Sequence, residues 1–277
     1  STWSLTTGVD EFTGGAGNDT FNAFIDGTTD DTLTALDSID GGAGTDKLRI
    51  NDLAAATDLS SIAFTVENVE VVEVRSSTKF TADTSDWTGV TNLDVLQGKV
   101  VDLTAAADTA VSVTGIAAGV YSNDSSVAND APSIVTVDGG STQTVSVDKA
   151  GIAVSLSGAA GAVSVTNTRQ ESLGKGDGND TPSLADITIN DGTDITVDAS
   201  MANTTAVAKV AGDITIGTTD EASGTVTVTQ ALTSDGQAAV TSGDITVDGG
   251  TSIDITSSIT VNAKSQTASP AHTFGVV

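Results

Sequence analysis

Two nine-residue segments near the start of the chain constrain its fold more than any other feature. Residues 14–22 and 41–49 both match the pattern G-G-x-G-x-D-x-U-x, in which U is apolar, and their starts are separated by three repeat lengths. The segments 5–13 and 32–40 fit the same frame in part. The sequence therefore predicts two pairs of nonapeptides, and each pair is expected to form one coil of a β-roll.

The first pair covers residues 5–22 and the second covers residues 32–49, and an aspartate-containing insert separates them. Glycine lets the backbone turn through conformations closed to other residues, so that carbonyl oxygens face an ion. The aspartate at the sixth position adds a charged oxygen, and hard oxygen ligands of this kind suit Ca²⁺. The predicted calcium ligands are Asp10, Gly14, Ala16, Gly17, Asp19, Asp37, Asp40, Gly41, Ala43, Gly44 and Asp46.

The charge of the chain supports the same prediction. There are 37 acidic and 10 basic residues, for a formal net charge of -27. Such a surface repels nucleic acid and anionic lipid, and it also repels itself unless cations relieve it. A halophilic or merely soluble acidic surface is the alternative explanation. The chain has no cysteine, which is compatible with an exported protein stabilised by metal, and it has no apolar run of about 20 residues that would embed it in a membrane.

The rest of the chain predicts short strands, because apolar residues alternate with Thr, Ser and Asp. The segment Asp-Ile-Thr recurs at Asp186, Asp213 and Asp244, roughly thirty residues apart, which is the rhythm of a three-strand coil. We therefore predict an all-β chain: a short calcium-binding β-roll over residues 1–50, then a right-handed parallel β-helix, or β-solenoid, with loop insertions over residues 51–277. An antiparallel sandwich is the main structural alternative.

Two smaller segments also carry predictions. Residues 53–60 are expected to form a short helical turn between the roll and the solenoid. Residues 174–180 repeat the glycines and acids of the nonapeptide, but Pro182 stands where the apolar residue belongs. That segment is therefore interpreted as an acidic surface loop.

The amino-terminal motifs resemble those of RTX-type, or hemolysin-type, calcium-binding proteins, and in particular the S-layer branch of that family. The resemblance rests on residues 5–23, on residues 36–46 and on the segment Val66-Glu67-Asn68-Val69-Glu70-Val71-Val72, which is interpreted as a strand at the start of the β-helix. It implies type I secretion, a calcium-stabilised solenoid and an extracellular location at the bacterial cell surface. It also implies that copies of the chain assemble into a lattice or filament, anchored to surface polysaccharide by parts outside this sequence.

Two other functions are alternatives. A calcium-stabilised adhesin or biofilm-matrix protein would share these features, and the sequence does not separate it from an S-layer subunit. A β-helix polysaccharide-active enzyme would need a strong base in a cleft. The only arginines, Arg49, Arg75 and Arg169, lie far apart in the sequence, and the single histidine, His272, lies beside Pro270 in an expected loop. We therefore expect a structural protein and no catalytic activity.

Overall fold

The computed structural model describes residues 1–76, 78–116, 134–148, 152–170, 184–203, 209–234 and 239–262. These residues form strands throughout, apart from turns and one short 3-10 helix, Leu59–Ser61. The strands are β1 (Thr2–Ser4), β2 (Glu11–Thr13), β3 (Thr20–Ile25), β4 (Ser38–Asp40), β5 (Lys47–Asp52), β6 (Ala56–Asp58), β7 (Thr65–Glu67), β8 (Val71–Ser76), β9 (Lys79–Asp83), β10 (Asn92–Leu96), β11 (Val100–Ala105), β12 (Ala110–Thr114), β13 (Ile134–Gly139), β14 (Thr142–Val147), β15 (Ala153–Ala159), β16 (Val163–Gln170), β17 (Ile187–Asp191), β18 (Ile195–Asn203), β19 (Lys209–Val210), β20 (Ile214–Ile216), β21 (Thr225–Ser234), β22 (Val240–Thr241), β23 (Ile245–Val247) and β24 (Ser252–Val261).

The strands form parallel sheets in which sequence neighbours belong to different sheets. The largest sheet has eleven strands in the order β1-β3-β5-β8-β10-β12-β14-β16-β18-β21-β24. The second has eight strands, β23-β20-β17-β15-β13-β11-β9-β6, and the smaller sheets are β2-β4-β7 and β19-β22. Parallel neighbours require a crossover, and here each crossover passes through another sheet. The predicted all-β parallel β-helix is therefore confirmed, and the antiparallel sandwich is wrong.

The chain divides into two compact units, and the first comprises residues 1–116, 136–144 and 158–161. Its strands bury alternate residues, as in β3, where Phe21, Ala23 and Ile25 face inward. Strand pairing stacks equivalent inward residues into columns, one of which contains Phe21, Leu48, Val72, Leu93 and Val111. The sequence separation between successive members of this column falls at every step, so the coils shorten while the register of the sheet is kept.

The second unit contains residues 117–135, 145–157 and 162–277. Its described strands β17, β20 and β23 place Ile187, Ile214 and Ile245 in one column, each directly after the aspartate of the repeated Asp-Ile-Thr segment. The aspartates before these strands are linked across 27 and then 31 positions by hydrogen bonds from one coil to the next, which agrees with the predicted coil. The fourth Asp-Ile-Thr segment, at Asp194, belongs to β18 in the larger sheet instead.

Three local expectations need correction or fall outside the described residues. Residues 53–60 contain the strand β6, and only Leu59–Ser61 is helical, as a single 3-10 turn. The predicted strand over 66–72 is interrupted, because residues 68–70 form a turn between β7 and β8, with Asn68 at φ +52°, and this corner is shorter than that of the coil before it. Residues 174–180, Pro182, Pro270 and His272 lie outside the described residues. In the described part of the chain, no helix has the length and apolar character needed to span a bilayer.

Candidate metal centre

The aspartates of the four nonapeptides occupy equivalent places, because each directly precedes a strand. Asp10, Asp19, Asp37 and Asp46 lead into β2, β3, β4 and β5. β2 pairs with β4 and β3 pairs with β5, so that equivalent residues of the two nonapeptide pairs are neighbours in space. The insert between the nonapeptide pairs therefore belongs to the coil. The expectation that two nonapeptides alone complete a coil was wrong.

The apolar residue at the eighth position points inward, as the pattern predicts. Phe21, Ile39 and Leu48 are fully buried. Phe12 is half-buried, and its ring lies 5.4 Å from that of Trp3 and 6.4 Å from that of Phe21. These side chains hold the strands that fix the turns before them.

Glycine is required at the first position because the next coil and the aspartate of the same repeat both approach it. A Cβ atom on Gly14 would lie nearest to the Gly41 carbonyl oxygen, and one on Gly41 would lie nearest to the Asn68 carbonyl oxygen. A Cβ atom on Gly41 would lie 2.7 Å from Oδ2 of Asp46, and one on Gly14 would lie 2.8 Å from Oδ2 of Asp19. Both distances are shorter than van der Waals contact. The two turns therefore enclose their carboxylates only with glycine at these positions.

Asp10 and Asp37 form one corner of the coils, and there the protein itself satisfies both carboxylates. Oδ2 of Asp10 accepts the Thr6 N–H at 2.6 Å, and Oδ1 accepts the Thr6 hydroxyl at 3.0 Å. Oδ1 of Asp37 accepts the Asp10 N–H at 2.9 Å, and Oδ2 accepts the Thr34 N–H at 2.6 Å. Hydrogen bonds from the protein therefore reach all four carboxylate oxygens at this corner, and the bond from Asp10 to Asp37 links consecutive coils.

Asp19 and Asp46 form the second corner, where the pattern of bonds is different. Oδ2 of Asp19 accepts the Gly15 N–H at 2.7 Å, and Oδ1 accepts from the amino group of Ser1. The Ser1 ammonium group and then the Gly15 N–H hold the pKa of Asp19 below its ordinary value, although burial opposes them. Oδ1 of Asp46 accepts the Asp19 N–H at 2.7 Å. Oδ2 of Asp46 is buried and has no hydrogen-bond partner, and the whole residue is 0% exposed.

The backbone around this second corner offers further oxygen atoms. Within the described residues, no N–H group donates to the carbonyl oxygens of Gly14, Ala16, Gly17, Gly41, Ala43 and Gly44. Asp40 is only half-buried, unlike Asp46, and its Oδ1 accepts the Gly42 N–H at 3.0 Å and the Asn68 amide at 2.8 Å. The described residues contain no group of three or more His, Cys, Asp or Glu side chains that could hold a metal by themselves. A cation here would therefore take backbone carbonyls together with Asp46.

The sequence reasoning missed two residues of this corner. The N–H of Asp46 donates to Oε2 of Glu70 at 2.6 Å, so Glu70 takes in the third coil the place that Asp46 takes in the second. Asn68 adopts φ +52° beside Gly41 and bonds Asp40. The sequence predicted a continuous strand over 66–72, and this segment carries no nonapeptide pattern. The bond from Asp46 to Glu70 spans 24 positions, whereas that from Asp19 to Asp46 spans 27. Because the spacing changes, a search for a fixed repeat length does not show that Glu70 and Asp46 occupy equivalent places in successive coils.

A second buried carboxylate with one oxygen that has no partner among the described residues lies elsewhere in the first unit. Asp52, at the end of β5, is 0% exposed, and its Oδ1 accepts the Ala54 N–H at 3.0 Å and the Thr57 hydroxyl at 2.7 Å. Its Oδ2 has no partner. No nonapeptide position marks Asp52, so the sequence pattern did not point to it.

Three basic residues gather on the outward side of β5 and β8, around Glu73. The Glu73 carboxylate lies 3.4 Å from Nζ of Lys47, 3.9 Å from Nε of Arg49 and 3.6 Å from Nε of Arg75. Burial, and then the charge of Glu73, raise the pKa of Asp94 on the neighbouring strand β10. The fold thus brings together two arginines that lie far apart in the sequence.

The comparisons with known proteins add no relative of assigned function. No protein-family model matches the chain, and no curated protein matches it with significant similarity. What the second corner does must therefore be argued from its own oxygen atoms, their burial and their missing donors.

Proposed function

We propose that the chain is a structural protein of the bacterial cell surface, secreted by a type I system, in which bound calcium fixes the stacked amino-terminal turns and copies of the protein assemble. The observation that carries this proposal is the Asp46 carboxylate, which is fully buried and has one oxygen without a donor. The repeat pattern and the acidic composition point the same way.

A buried carboxylate with an unsatisfied oxygen is unfavourable unless a proton or a cation neutralises it. A cation is favoured at this corner because the acids stack in successive coils. Asp19 donates its N–H to Asp46, and Asp46 donates its N–H to Glu70, so three negative side chains lie along one line of the solenoid. Neutralising one of them with a divalent ion also relieves the repulsion from the other two.

Calcium fits the oxygens present better than other common ions. It accepts carboxylate and carbonyl oxygens in flexible geometry, whereas zinc and copper favour nitrogen and sulfur ligands. We propose that Asp46 supplies the charged ligand. The candidates for the remaining, uncharged ligands are the backbone carbonyl oxygens of Gly14, Ala16, Gly17, Gly41, Ala43 and Gly44. Bound there, the ion would supply positive charge that holds two glycine turns together.

An extracellular setting agrees with this chemistry. Extracellular modules bind calcium with dissociation constants of about 10⁻⁴–10⁻³ M, so such a site fills in a calcium-rich medium and stays empty in a cytosol. Folding coupled to calcium would then begin after secretion. The formal charge of -27 also means that copies of the chain repel one another until cations screen them. A structural role follows from these properties, and none of them requires catalysis.

The test is thermal unfolding of the purified chain in 10 mM CaCl₂, in 10 mM MgCl₂ and in chelator. One site of the stated affinity stabilises by about 1.4 to 2.7 kcal/mol at 10 mM calcium. That corresponds to a rise in Tm of roughly 3 to 10 °C for a chain of this size. Magnesium should give less, since it keeps its octahedral water shell. Equal melting in calcium and chelator would contradict calcium binding.

Assembly needs a separate measurement. Electron microscopy and light scattering should show ordered sheets or filaments in calcium that disperse on chelation. A chain that gains stability with calcium yet stays monomeric at all concentrations would contradict the assembly proposal and favour an adhesin.

A further inference from the structure

Positive charge is concentrated on the outward side of β5 and β8, in a basic cluster that consists of Lys47, Arg49 and Arg75. These are three of the ten basic residues in a chain that has 37 acidic ones. The side chains of Arg49 and Arg75 are 53% and 56% exposed, and that of Lys47 is 31% exposed. The acids beside them are Glu73 and Asp94, which are neighbours in register on β8 and β10. The cluster therefore presents more positive than negative charge to solvent.

The two guanidinium groups of the basic cluster make no hydrogen bond within the described residues. Nε of Arg49 lies 3.9 Å and Nε of Arg75 lies 3.6 Å from Oε1 of Glu73, which is beyond hydrogen-bond distance. Each arginine carries five N–H donors in a planar fork that matches the geometry of a carboxylate. Both forks therefore remain open to carboxylates from outside this sheet.

The register of the sheet sets the separation of the two arginines. Arg49 lies beside Glu73 on the adjacent strand, and Arg75 is two residues further along β8. Neighbouring strands lie about 4.8 Å apart, and two residues along a strand span about 6.6 Å, so the two Cα atoms are about 8 Å apart. A surface that carries two carboxylates at this spacing would match both arginines.

The outward side of the second sheet, in the same compact unit, carries carboxylates at this spacing. Asp58 ends β6, Asp83 ends β9 and Asp102 lies within β11, and all three are exposed. Asp58 and Asp102 are the register partners of Thr81 on either side of β9. Because Asp83 is two residues beyond Thr81, its Cα atom lies about 8 Å from that of each of the other two aspartates.

These three aspartates, here called the acidic cluster, keep oxygen atoms that no described residue bonds. Oδ1 of Asp58 accepts the Ser60 N–H at 3.0 Å. Oδ1 of Asp83 accepts the Ser85 N–H at 3.0 Å and the Ser85 hydroxyl at 2.6 Å. The Oδ2 atoms of both residues, and both oxygens of Asp102, accept no hydrogen bond within the described residues. Charged acceptors without donors on this side thus correspond to charged donors without acceptors on the other.

We propose that the basic cluster of one copy binds the acidic cluster of a second copy, so that the larger sheet of one molecule packs against the second sheet of the next. Each copy has a formal charge of -27, so two copies repel each other except where cations and carboxylates meet directly. The few basic residues of the chain are gathered where such a contact needs them. The contact names one interface of the proposed assembly and rests on that proposal.

The proposed contact joins two different surfaces of the molecule. Phe80 on β9 and Leu48 on β5 are both fully buried, so the outward sides of the two sheets both face away from the core. A heterologous contact of this kind leaves one cluster open on each outermost copy, and further copies therefore add until a ring closes or a row extends. The contact predicts rows or rings rather than isolated symmetric dimers.

The experiment reverses the charges of each cluster in turn. One variant carries Arg49→Glu and Arg75→Glu, and the other carries Asp83→Lys and Asp102→Lys. Each full-length protein is first checked for folding by circular dichroism. Self-association is then measured by sedimentation velocity, in calcium and in chelator, at about 0.15 M salt, where charges further apart than about 8 Å are largely screened.

We expect either variant alone to need at least tenfold more protein than the wild type for the same degree of association. An equimolar mixture of the two variants should associate again, because the reversed cluster of each faces a surface of opposite charge on the other. This recovery cannot arise from misfolding. Association of either variant at the wild-type concentration, or a mixture that stays monomeric, would overturn the proposed contact.

Lys79→Glu combined with Lys99→Glu is the matched control, because it changes the net charge by the same amount as the arginine variant. Lys79 begins β9 and Lys99 directly precedes β11, at the opposite end of these strands from Asp83. We expect this control to associate like the wild type, and an equal loss would overturn the contact. Retention of the wild type on immobilised polygalacturonate, without self-association, would assign the basic cluster to an acidic polysaccharide and would also overturn it.

These outcomes are separate from those for calcium binding. If calcium does not bind, the two variants and their mixture still differ in chelator. If the wild type and both variants assemble alike, this contact is wrong, whereas the proposed assembly and the calcium-dependent rise in Tm stand. A wild type that stays monomeric at all concentrations would overturn the contact together with the assembly and would leave calcium binding unaffected.

Discussion

Replacing Asp46 by asparagine removes a fully buried negative charge while keeping the shape of the side chain. In the structure, Oδ1 accepts the Asp19 N–H and Oδ2 has no donor. The introduced amide keeps the first bond and removes the buried negative charge, for which the described residues provide no donor at Oδ2. A buried unsatisfied polar atom costs about 1–3 kcal/mol, so in chelator we expect Asp46→Asn to unfold at a higher urea concentration than the wild type.

In calcium we expect the opposite order of stability, with the wild type more stable than Asp46→Asn. If Asp46 is the charged ligand, the wild type gains about 1.4 to 2.7 kcal/mol from one site in 10 mM calcium, and Asp46→Asn loses most of that gain. The measurement is urea unfolding followed by circular dichroism, in calcium and in chelator. The quantity compared is the difference between the two unfolding free energies for each protein.

Asp37→Asn is the matched control, because Asp37 occupies the same place in another repeat but both of its oxygens accept backbone N–H groups. The NH₂ group of the introduced amide would face one of these donors. We expect a loss of about 1–3 kcal/mol in calcium and in chelator alike, with the calcium gain kept. The reasoning is refuted if Asp46→Asn retains the full calcium gain, or if it is destabilised in chelator as Asp37→Asn is.

Three further predictions concern the core, a turn and acid unfolding. Phe80→Ala should lower the unfolding free energy by about 3–5 kcal/mol in urea, because Phe80 is fully buried; a loss below about 1 kcal/mol would contradict the stacked core. Gly42→Ala should lower Tm more than Gly15→Ala, which changes the same position of the other repeat. Gly42 has φ +85°, and a Cβ atom there would lie 2.7 Å from the Gly15 carbonyl oxygen, whereas a Cβ atom on Gly15 has no contact closer than 3.8 Å. Equal losses of Tm in thermal unfolding would count against the strained turn. The N–H group of Thr225, and then its hydroxyl, lower the pKa of Asp194 in the folded protein. The ionised Asp194 carboxylate therefore stabilises the fold above the unfolded pKa of about 3.9, and this stabilisation is lost as pH falls through the folded pKa. Asp194→Asn should therefore flatten the loss of stability below about pH 4 in acid titrations followed by circular dichroism, and an unchanged acid slope would argue against this bond.

Local pattern was enough to predict the strands and many of the turns. The nonapeptide pattern predicted short strands at β3 and β5, alternation of period two predicted β12, and the repeated Asp-Ile-Thr segment predicted β17, β20 and β23. These features depend on side chains a few residues apart, which a sequence displays directly. β24 runs through the polar pair Ser257 and Ser258, because all ten of its positions pair with β21.

What the sequence did not predict are the contacts between coils. Glu70 bonds the backbone of Asp46 across 24 positions, and Asp46 bonds that of Asp19 across 27. The stacking of residues in successive coils depends on the length of every turn between them. The insert after the first nonapeptide pair is one of these turns and adds to the length of its coil. The predicted ligands lie in the turns before β2, β3, β4 and β5. Only the register shows that hydrogen bonds occupy both carboxylates at the Asp10 and Asp37 corner and leave one oxygen of Asp46 without a partner in the described residues.

The shortening of successive coils in the first unit has a consequence for how such chains diverge. Coils of steadily decreasing length stack the same inward column from Phe21 to Val111. Deletions at corners therefore leave the interior layer intact, and a fixed period is a poor guide to ancestry among these repeats. An evolutionary relationship between coils, or between two such proteins, is better detected by aligning the stacked columns residue by residue while the corner lengths are allowed to vary.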